Sequence, residues 1–145
     1  MTNGPAGYSQ EVIEHIRNPH NVGEMPHPDG IGRVGNPTCG DIMELYIRVK
    51  DGIITDSSFK TFGCGAAIAS SSMATEMVKG KTITEALEIS NKAVAEALGG
   101  LPAVKRHCSV LAEEALRKAI LDYYQRRGET PPVDIKLPED SHSHD

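Results

Sequence analysis

The stretch IMELYIRVKDGIITDSSFKTFGCGAA, residues 42–67, decides the fold. Apolar residues at every second position from Met43 to Val49 predict a strand with one covered face. Asp51-Gly52 is a strong signal for a two-residue hairpin turn, after which residues 53–62 return antiparallel. Alanine and methionine then recur at helical spacing from Gly65 to Gly80. The stretch therefore predicts a β-hairpin followed directly by a helix.

Shorter elements are predicted on either side of this hairpin. Ser9 is a suitable N-cap for a short helix that Asn18-Pro19 ends. Residues 31–34 read as a short strand before the hairpin. Two short helical segments follow the hairpin and its helix, at residues 84–89 and 91–98.

The last predicted element is a long helix that begins near Pro102, a residue suited to a first helical turn, and runs to about Arg127. Its apolar stripe faces inward, and Cys108 lies on this stripe within the first two turns. His107 lies about 100° to the side. The charged residues that fall largely outside the stripe are Glu113, Glu114, Lys118 and Arg126.

The composition is that of one domain with a sufficient core. The 145 residues carry a formal net charge of −5 and no dense run of Lys or Arg, which argues against nucleic acid and membrane as partners. No apolar run reaches the roughly 18 residues of a membrane span. Three cysteines without a secretory signal favour a reducing, cytoplasmic location. Residues 1–7 are predicted to be flexible, 8–127 to form the domain, and 128–145 to be a disordered tail.

Cys39 and Cys64 are the most informative residues, because each lies in a Cys-Gly frame beyond a predicted strand. If Lys50 pairs with Ile53, the numbers of opposed residues add up to 103, as do those of Cys39 and Cys64. This register predicts that the two thiols lie opposite each other at the open end of the hairpin. Cys39 and Asp41 share the parity of the apolar face, so both are expected on its covered side.

Each candidate also has a structural explanation. A single cysteine on a helix stripe, such as Cys108, is more often a small core residue than a ligand. His107 gains weight as a ligand because it adjoins that cysteine. Cys64 begins a helix, where backbone N–H groups and the helix dipole favour thiolate. The histidines that are interpreted as structural, solvent-facing or weak sites in a tail are His15, His20, His27, His142 and His144.

Three thiolates with an imidazole and a carboxylate suit two occupants. Tetrahedral zinc takes Cys₃ with His or Asp, whereas an iron–sulfur cluster favours thiolates and changes its properties when one ligand is not cysteine. The spacing does not separate the two. Asp41 either bonds nearby backbone N–H groups, supplies a hard oxygen to a metal, or acts as a base. A ligand set that mixes soft thiolates with a hard carboxylate does not hold a metal or cluster as tightly as possible, so the bound group can leave again.

Three stretches in this order resemble the IscU family of iron–sulfur cluster assembly scaffolds, also found as the N-terminal domain of NifU. They are GNPTCGD at 35–41, FKTFGCGAAIASSS at 59–72 and LPAVKRHCSVLAEEA at 101–115. The likeness extends from about Tyr8 to Arg127. It implies an α+β fold with a small three-stranded antiparallel sheet, helices packed on it, a long C-terminal helix and the metal site at one end of the sheet.

The resemblance also implies a role that is not enzymatic. A cysteine desulfurase delivers persulfide sulfur, iron is bound, and a transient 2Fe–2S cluster is built and passed to apo acceptor proteins. By position, Cys39, Cys64 and Cys108 are the cluster ligands, and Cys108 receives the persulfide. Asp41 and His107 complete metal coordination, and Asp41 is associated with keeping the cluster labile. A monomeric apo form and a homodimer around a cluster are both consistent with ligands at the rim of a sheet.

Two features qualify the resemblance. The family's chaperone-recognition segment corresponds to Leu101, Pro102, Val104 and Lys105, but Ala103 replaces its second proline, so the use of a chaperone is in doubt. The rival is a SufU-like sulfurtransferase, which holds zinc and accepts persulfide from a desulfurase. Proteins of that kind carry an insertion before the last cysteine and lack the preceding histidine. The compact interval and His107 favour the IscU interpretation.

Overall fold

The computed structural model describes residues 8–36, 41–131 and 135. The described elements follow in the order α1 (Gln10–Arg17), β1 (Gly30–Asn36), β2 (Asp41–Lys50), β3 (Ile53–Thr61), α2 (Gly65–Val78), α3 (Ile83–Leu87), α4 (Asn91–Ala97), a 3₁₀ turn (Ala103–Lys105) and α5 (Arg106–Arg127). No helix in these ranges is long and apolar enough to cross a membrane.

The three strands form one antiparallel sheet in the order β1-β2-β3, which confirms the predicted α+β class. The predicted hairpin turn is also confirmed. Asp51 and Gly52 both have positive φ, at 54° and 77°, as a type I′ turn requires. The predicted strand at 31–34 extends by one residue at its start and two at its end.

The predicted register of the hairpin is wrong beyond its first two pairs. Lys50 opposes Ile53 and Val49 opposes Ile54, as expected, but Arg48 opposes Asp56. Thr55 is therefore an additional residue in β3, and its hydroxyl donates to the carbonyl of Arg48 at 3.2 Å. Such a bulge shifts every later pair by one residue. The opposition of Cys39 and Cys64 that was inferred from the numbering does not follow from the observed pairing.

The core lies between the sheet and the two longest helices. The predicted inward face of β2 is confirmed, because Met43, Leu45 and Ile47 are all buried. Helix α5 crosses β1 at very close range. A Cβ placed on Gly32 would overlap the carbonyl oxygen of Ala115 and lie 2.6 Å from the amide nitrogen of Ala119. Glycine at this position therefore fixes how near α5 comes to the sheet.

Two glutamates of α5 correct the predicted stripe. Glu113 and Glu114 are only 7 % and 4 % exposed, although the sequence places them largely outside the inward face. Glu113 pairs with Arg117 at 3.0 Å and accepts hydrogen bonds from the backbone and side chain of Asn91 at 2.7 and 2.8 Å. Arg117 in turn donates to the carbonyl of Leu87 at 2.8 Å. The pair thus ties α3 and α4 to α5, a tertiary contact that helical periodicity alone does not reveal.

The start of α5 also differs from the prediction. Pro102 is followed by the 3₁₀ turn, and the α-helix itself begins at Arg106. His107 and Cys108 are therefore the second and third residues of α5. At the other end Gly128 has φ +67° and closes the helix, as glycine commonly does. Most of the predicted disordered segments, 1–7 and the later part of 128–145, lie outside the described residues, while Ile135 packs against the core.

Helix α1 begins at the predicted cap, since Ser9 accepts from the backbone N–H of Val12 at 3.1 Å. His15 of this helix lies 2.7 Å from the hydroxyl of Ser72, which also accepts from the backbone N–H of His20 at 2.8 Å. The Ser72 hydroxyl of α2 thus contacts both the His15 ring and the backbone of His20. His15 and His20 therefore join α1 to α2, in agreement with their structural interpretation.

Acidification is expected to weaken this junction. Burial, together with the neighbouring His20, lowers the pKa of His15. The unfolded chain then binds the proton more tightly, so the contribution of His15 to stability is present above its unfolded pKa and is lost as the pH falls below it. We expect His15→Gln to flatten the decline in urea-unfolding free energy between about pH 7 and pH 5. An unchanged slope in the variant would assign the decline to other groups.

Candidate functional site

Cys64 lies at the junction where β3 gives way to α2. It occupies the N-cap position with an extended backbone, φ −79° and ψ −178°, and its side chain is half-buried. Helix α1 packs against this junction, and the absence of a side chain at Gly65 leaves room for it. A Cβ on Gly65 would lie 2.8 Å from the side chain of Ile16. The sequence prediction of a cysteine at a strand-to-helix junction is confirmed.

Cys108 is delivered to the same place by α5. Its side chain is 0 % exposed and belongs to the apolar core, which confirms its predicted inward position. The sulfur atoms of Cys64 and Cys108 are 3.9 Å apart. This is van der Waals contact and nearly twice the length of a disulfide bond, ~2.05 Å, so the two sulfurs are not bonded to each other.

His107 supplies a nitrogen next to this pair. Its Nε2 atom lies 3.6 Å from the sulfur of Cys108, and its ring is half-buried. Imidazole and thiolate are both ligands of zinc and iron. The structure thus brings together three of the predicted site residues: Cys64, His107 and Cys108.

Two further residues adjoin the thiols. The Cys64 sulfur raises the pKa of Lys105, with which it also shares a hydrogen bond. Burial, and then the charge of Cys64, raises the pKa of Tyr8. The sequence predicts Lys105 as a partner contact and as a candidate charge near the site, whereas it gives Tyr8 no role. The position of Tyr8 depends on how α1 packs beside α2, for which the sequence carries no local signal.

Cys39 lies outside the described residues, and of Asp41 only the backbone is described. Asn36 and Asp41 pair at the ends of β1 and β2, and the N–H of Phe62 donates to the carbonyl of Ile42 at 3.0 Å. Asn36 and Asp41 are the described residues on either side of Cys39 in the sequence. They therefore lie at the same end of the sheet as the end of β3, which leads to Cys64. The ligand roles of Cys39 and Asp41 stay predictions.

No group of three His, Cys, Asp or Glu side chains within the described ranges has the geometry to hold a metal ion. The predicted metal site at the sheet end therefore stays a prediction. What the described atoms form is a pair of thiols in contact, with an imidazole and an ammonium group beside it. Such a cluster suits the binding of soft metal ions and the transfer of sulfur.

The segment assigned to partner binding is only partly accessible. Leu101 is buried in the core, whereas Pro102 and Lys105 are half-buried and Ala103 is exposed. The side chain of Val104 is not among those described. A surface feature that the sequence reasoning passed over is Phe62, whose side chain is 67 % exposed two residues before Cys64.

Comparison with known proteins agrees with the fold and the motifs. Residues 7–130 match the family described as the NifU-like N terminal domain. The chain is 62 % identical over 126 residues to an iron–sulfur cluster assembly scaffold protein IscU of Archaeoglobus fulgidus, covering 87 % of this chain and 82 % of that protein. It is 56 % identical over 124 residues to the scaffold protein IscU of Escherichia coli, covering 83 % of this chain and 96 % of that protein.

A solved structure supports the architecture. The N-terminal NifU-like protein of Brucella abortus superposes with a TM-score of 0.65 at 21 % identity, over 81 % of this chain and 94 % of that one. At that identity the likeness concerns the fold alone, and it agrees with the three-stranded sheet and its helices. From the matched residues and the identity to these relatives, the chain belongs to the NifU-like N-terminal domain family.

Proposed function

We propose that this chain is a scaffold on which a 2Fe–2S cluster is assembled and from which it is passed to apo acceptor proteins. The observation that carries the proposal is the contact between Cys64 and Cys108 at 3.9 Å, in a chain 62 % identical to a named scaffold of this kind. Two soft sulfur ligands held together by separate elements, α2 and α5, suit a cargo of iron and sulfide.

The described donors fit such a cargo. Cys64 and Cys108 offer thiolate sulfurs, and His107 offers an imidazole nitrogen within 3.6 Å of the second sulfur. In the proposal Cys39 and Asp41 complete the set, with Asp41 as the hard ligand that keeps the cargo labile. Cys64 is half-buried at the start of α2, and Cys108 lies in the core. Both thiols are therefore held in place before iron binds, which lowers the entropy lost on binding.

The proposal assigns sulfur acceptance to Cys108 and delivery to a cysteine desulfurase. The scaffold has no turnover of its own, and its products are the cluster-loaded acceptors. Lys105, beside Cys64, supplies positive charge that offsets the negative charge of thiolates and sulfide. A cytoplasmic location and a homodimer around the cluster belong to the same proposal.

The proposal is tested by anaerobic reconstitution of the metal-free protein with ferrous iron, L-cysteine and a cysteine desulfurase. We expect visible absorption and circular dichroism typical of a 2Fe–2S centre, with iron and sulfide in equal amounts. A protein that remains folded and colourless under these conditions would contradict the scaffold role. Tightly held stoichiometric zinc together with faster desulfurase turnover would instead support the zinc-dependent sulfurtransferase.

Asp41→Ala is expected to hold its cluster longer than the wild-type chain. Removal of a hard oxygen donor leaves a set dominated by sulfur, which suits iron–sulfur chemistry better, so loss of absorbance to an apo acceptor or chelator should slow by at least about twofold. Asp41→Glu, which keeps the carboxylate, is the matched control. Faster loss from Asp41→Ala would contradict the assignment of lability to this side chain.

A further inference from the structure

The two thiols of the site differ sharply in accessibility although they touch. Cys108 is 0 % exposed and lies in the core, whereas Cys64 is half-buried at the start of α2. Their Sγ atoms are 3.9 Å apart, so a movement of about 2 Å brings them to the length of a disulfide bond. In a persulfide on Cys108, the inner sulfur is Sγ, and the Cys64 sulfur is already in contact with that atom.

We propose that Cys64 is the resolving thiol that releases sulfide from a persulfide on Cys108. The inference rests on the proposed function, which places that persulfide on Cys108. The Cys64 thiolate attacks Sγ of Cys108, the Cys64–Cys108 disulfide bond forms, and the bond between Sγ and the outer sulfur breaks. The outer sulfur leaves as HS⁻ with the persulfide proton and the electron pair of the broken S–S bond, and the Cys64 thiolate supplies the electron pair of the new bond. Charge and atoms balance without an external reductant for this step.

The geometry selects attack at the inner sulfur. The 3.9 Å contact joins the two Sγ atoms, and Sγ of Cys108 is the atom that carries the outer sulfur. Attack at the outer sulfur would instead move the persulfide to Cys64 without any change in oxidation state, and no sulfide would appear.

Lys105 supports this role for Cys64. Its ammonium group lies beside the Cys64 sulfur, so a positive charge faces the attacking atom. Cys64 is also the more exposed sulfur of the resulting disulfide. A dithiol can attack there, form its own cyclic disulfide and return both cysteines to thiols, which restores them as ligands. While the disulfide persists, neither cysteine can hold iron.

The experiment uses the metal-free chain of 145 residues with a cysteine desulfurase and limiting L-cysteine, without oxygen, iron or reductant. After an alkylating quench, released sulfide is assayed, and peptides are mapped by mass spectrometry for persulfide and disulfide. The wild type is expected to release close to one sulfide per persulfide loaded and to contain a peptide pair that joins Cys64 to Cys108. Added dithiol should restore both thiols.

Three variants separate the possibilities. Cys64→Ser, in which serine is a good helix N-cap, should accumulate persulfide on Cys108 without sulfide release. Ser109→Ala, which alters a buried side chain next to Cys108 and removes no ligand, should behave as the wild type. Cys108→Ala should release no sulfide from the chain. Oxidation of metal-free wild type by diamide gives an independent readout and should join the same two cysteines.

Two results would overturn the inference while leaving the proposed function standing. One is persulfide that stays on Cys108 of the wild type with both other thiols intact. The other is a disulfide that joins Cys39 to Cys108, which would make Cys39 the resolving thiol. If no sulfur is loaded onto Cys108 at all, the acceptor step of the proposed function fails, and the resolving role falls with it.

Discussion

Cys108→Ala is expected to leave the chain folded but unable to build a cluster. Cys108 is the sulfur ligand that α5 contributes and the proposed point of sulfur entry, so its loss removes both a ligand and the acceptor. Because changes to groups that merely support a metal ligand cost ~10–100-fold in affinity or activity, loss of the ligand itself should lower reconstituted absorbance at least as far. The measurement is visible absorption after anaerobic reconstitution, with iron and sulfide counted per chain.

The matched control for this variant is Ser109→Ala on the next residue of α5. Ser109 is buried, and its hydroxyl donates to the carbonyl of Arg106 at 2.8 Å, so the control tests the cost of altering a small buried side chain near the helix start. It should reconstitute like the wild type. Both variants are first checked for native far-ultraviolet circular dichroism and a cooperative unfolding transition. A folded Cys108→Ala chain with full cluster content would refute the ligand role of this cysteine.

Gly32→Ala is expected to destabilise the chain strongly for so small a change. The added methyl group would overlap the backbone of α5 at Ala115 and approach Ala119 to 2.6 Å. These are backbone atoms of a long packed helix, so the overlap can be removed only if the helix moves away from β1. Overpacking of a core costs ~1–3 kcal/mol and occasionally more, and we expect a loss at the upper end of that range in urea-unfolding free energy.

Gly52→Asn is the control because it also adds a side chain to a glycine, here in the hairpin turn between β2 and β3. Nothing lies within 4 Å of a Cβ at Gly52, and its φ of +77° is one that asparagine tolerates. This variant should lose less than about 1 kcal/mol. Equal losses for the two variants would show that the contact between β1 and α5 is not as close-packed as the structure has it. Gly32→Ala should also weaken cluster assembly, since α5 carries His107 and Cys108.

Local pattern was sufficient where one element has one strong period. The alternation in β2, the Asp51-Gly52 turn and the cap at Ser9 each concern residues within a few positions of one another, and all three were predicted correctly. The bulge at Thr55 was not predicted. The apolar alternation of β3 is interrupted by polar residues, so the sequence does not reveal which of its residues is the additional one. That one residue invalidated the register argument for the cysteine pair while leaving the hairpin intact.

The buried glutamates show the same limit on a helix. Helical periodicity places Glu113 and Glu114 largely outside the apolar stripe. Burial of a charged side chain without a partner is also costly, so both are expected to face solvent. The partners of Glu113 are Arg117 and the backbone of Asn91, and the second of these comes from α4. Only the arrangement of α4 against α5 decides that a carboxylate can be buried there.

The sequence by itself determined the α+β class, the cysteine at the start of α2, the inward position of Cys108 and the family to which the motifs belong. These features rest on short-range periodicity, on glycine and proline positions and on motifs in fixed order. Only the tertiary structure decided that Cys64 and Cys108 touch at 3.9 Å, that Tyr8 lies beside them, and that α5 packs on Gly32. Those contacts join residues many positions apart in the chain, and their distances depend on how closely helices and sheet pack, which no local pattern encodes.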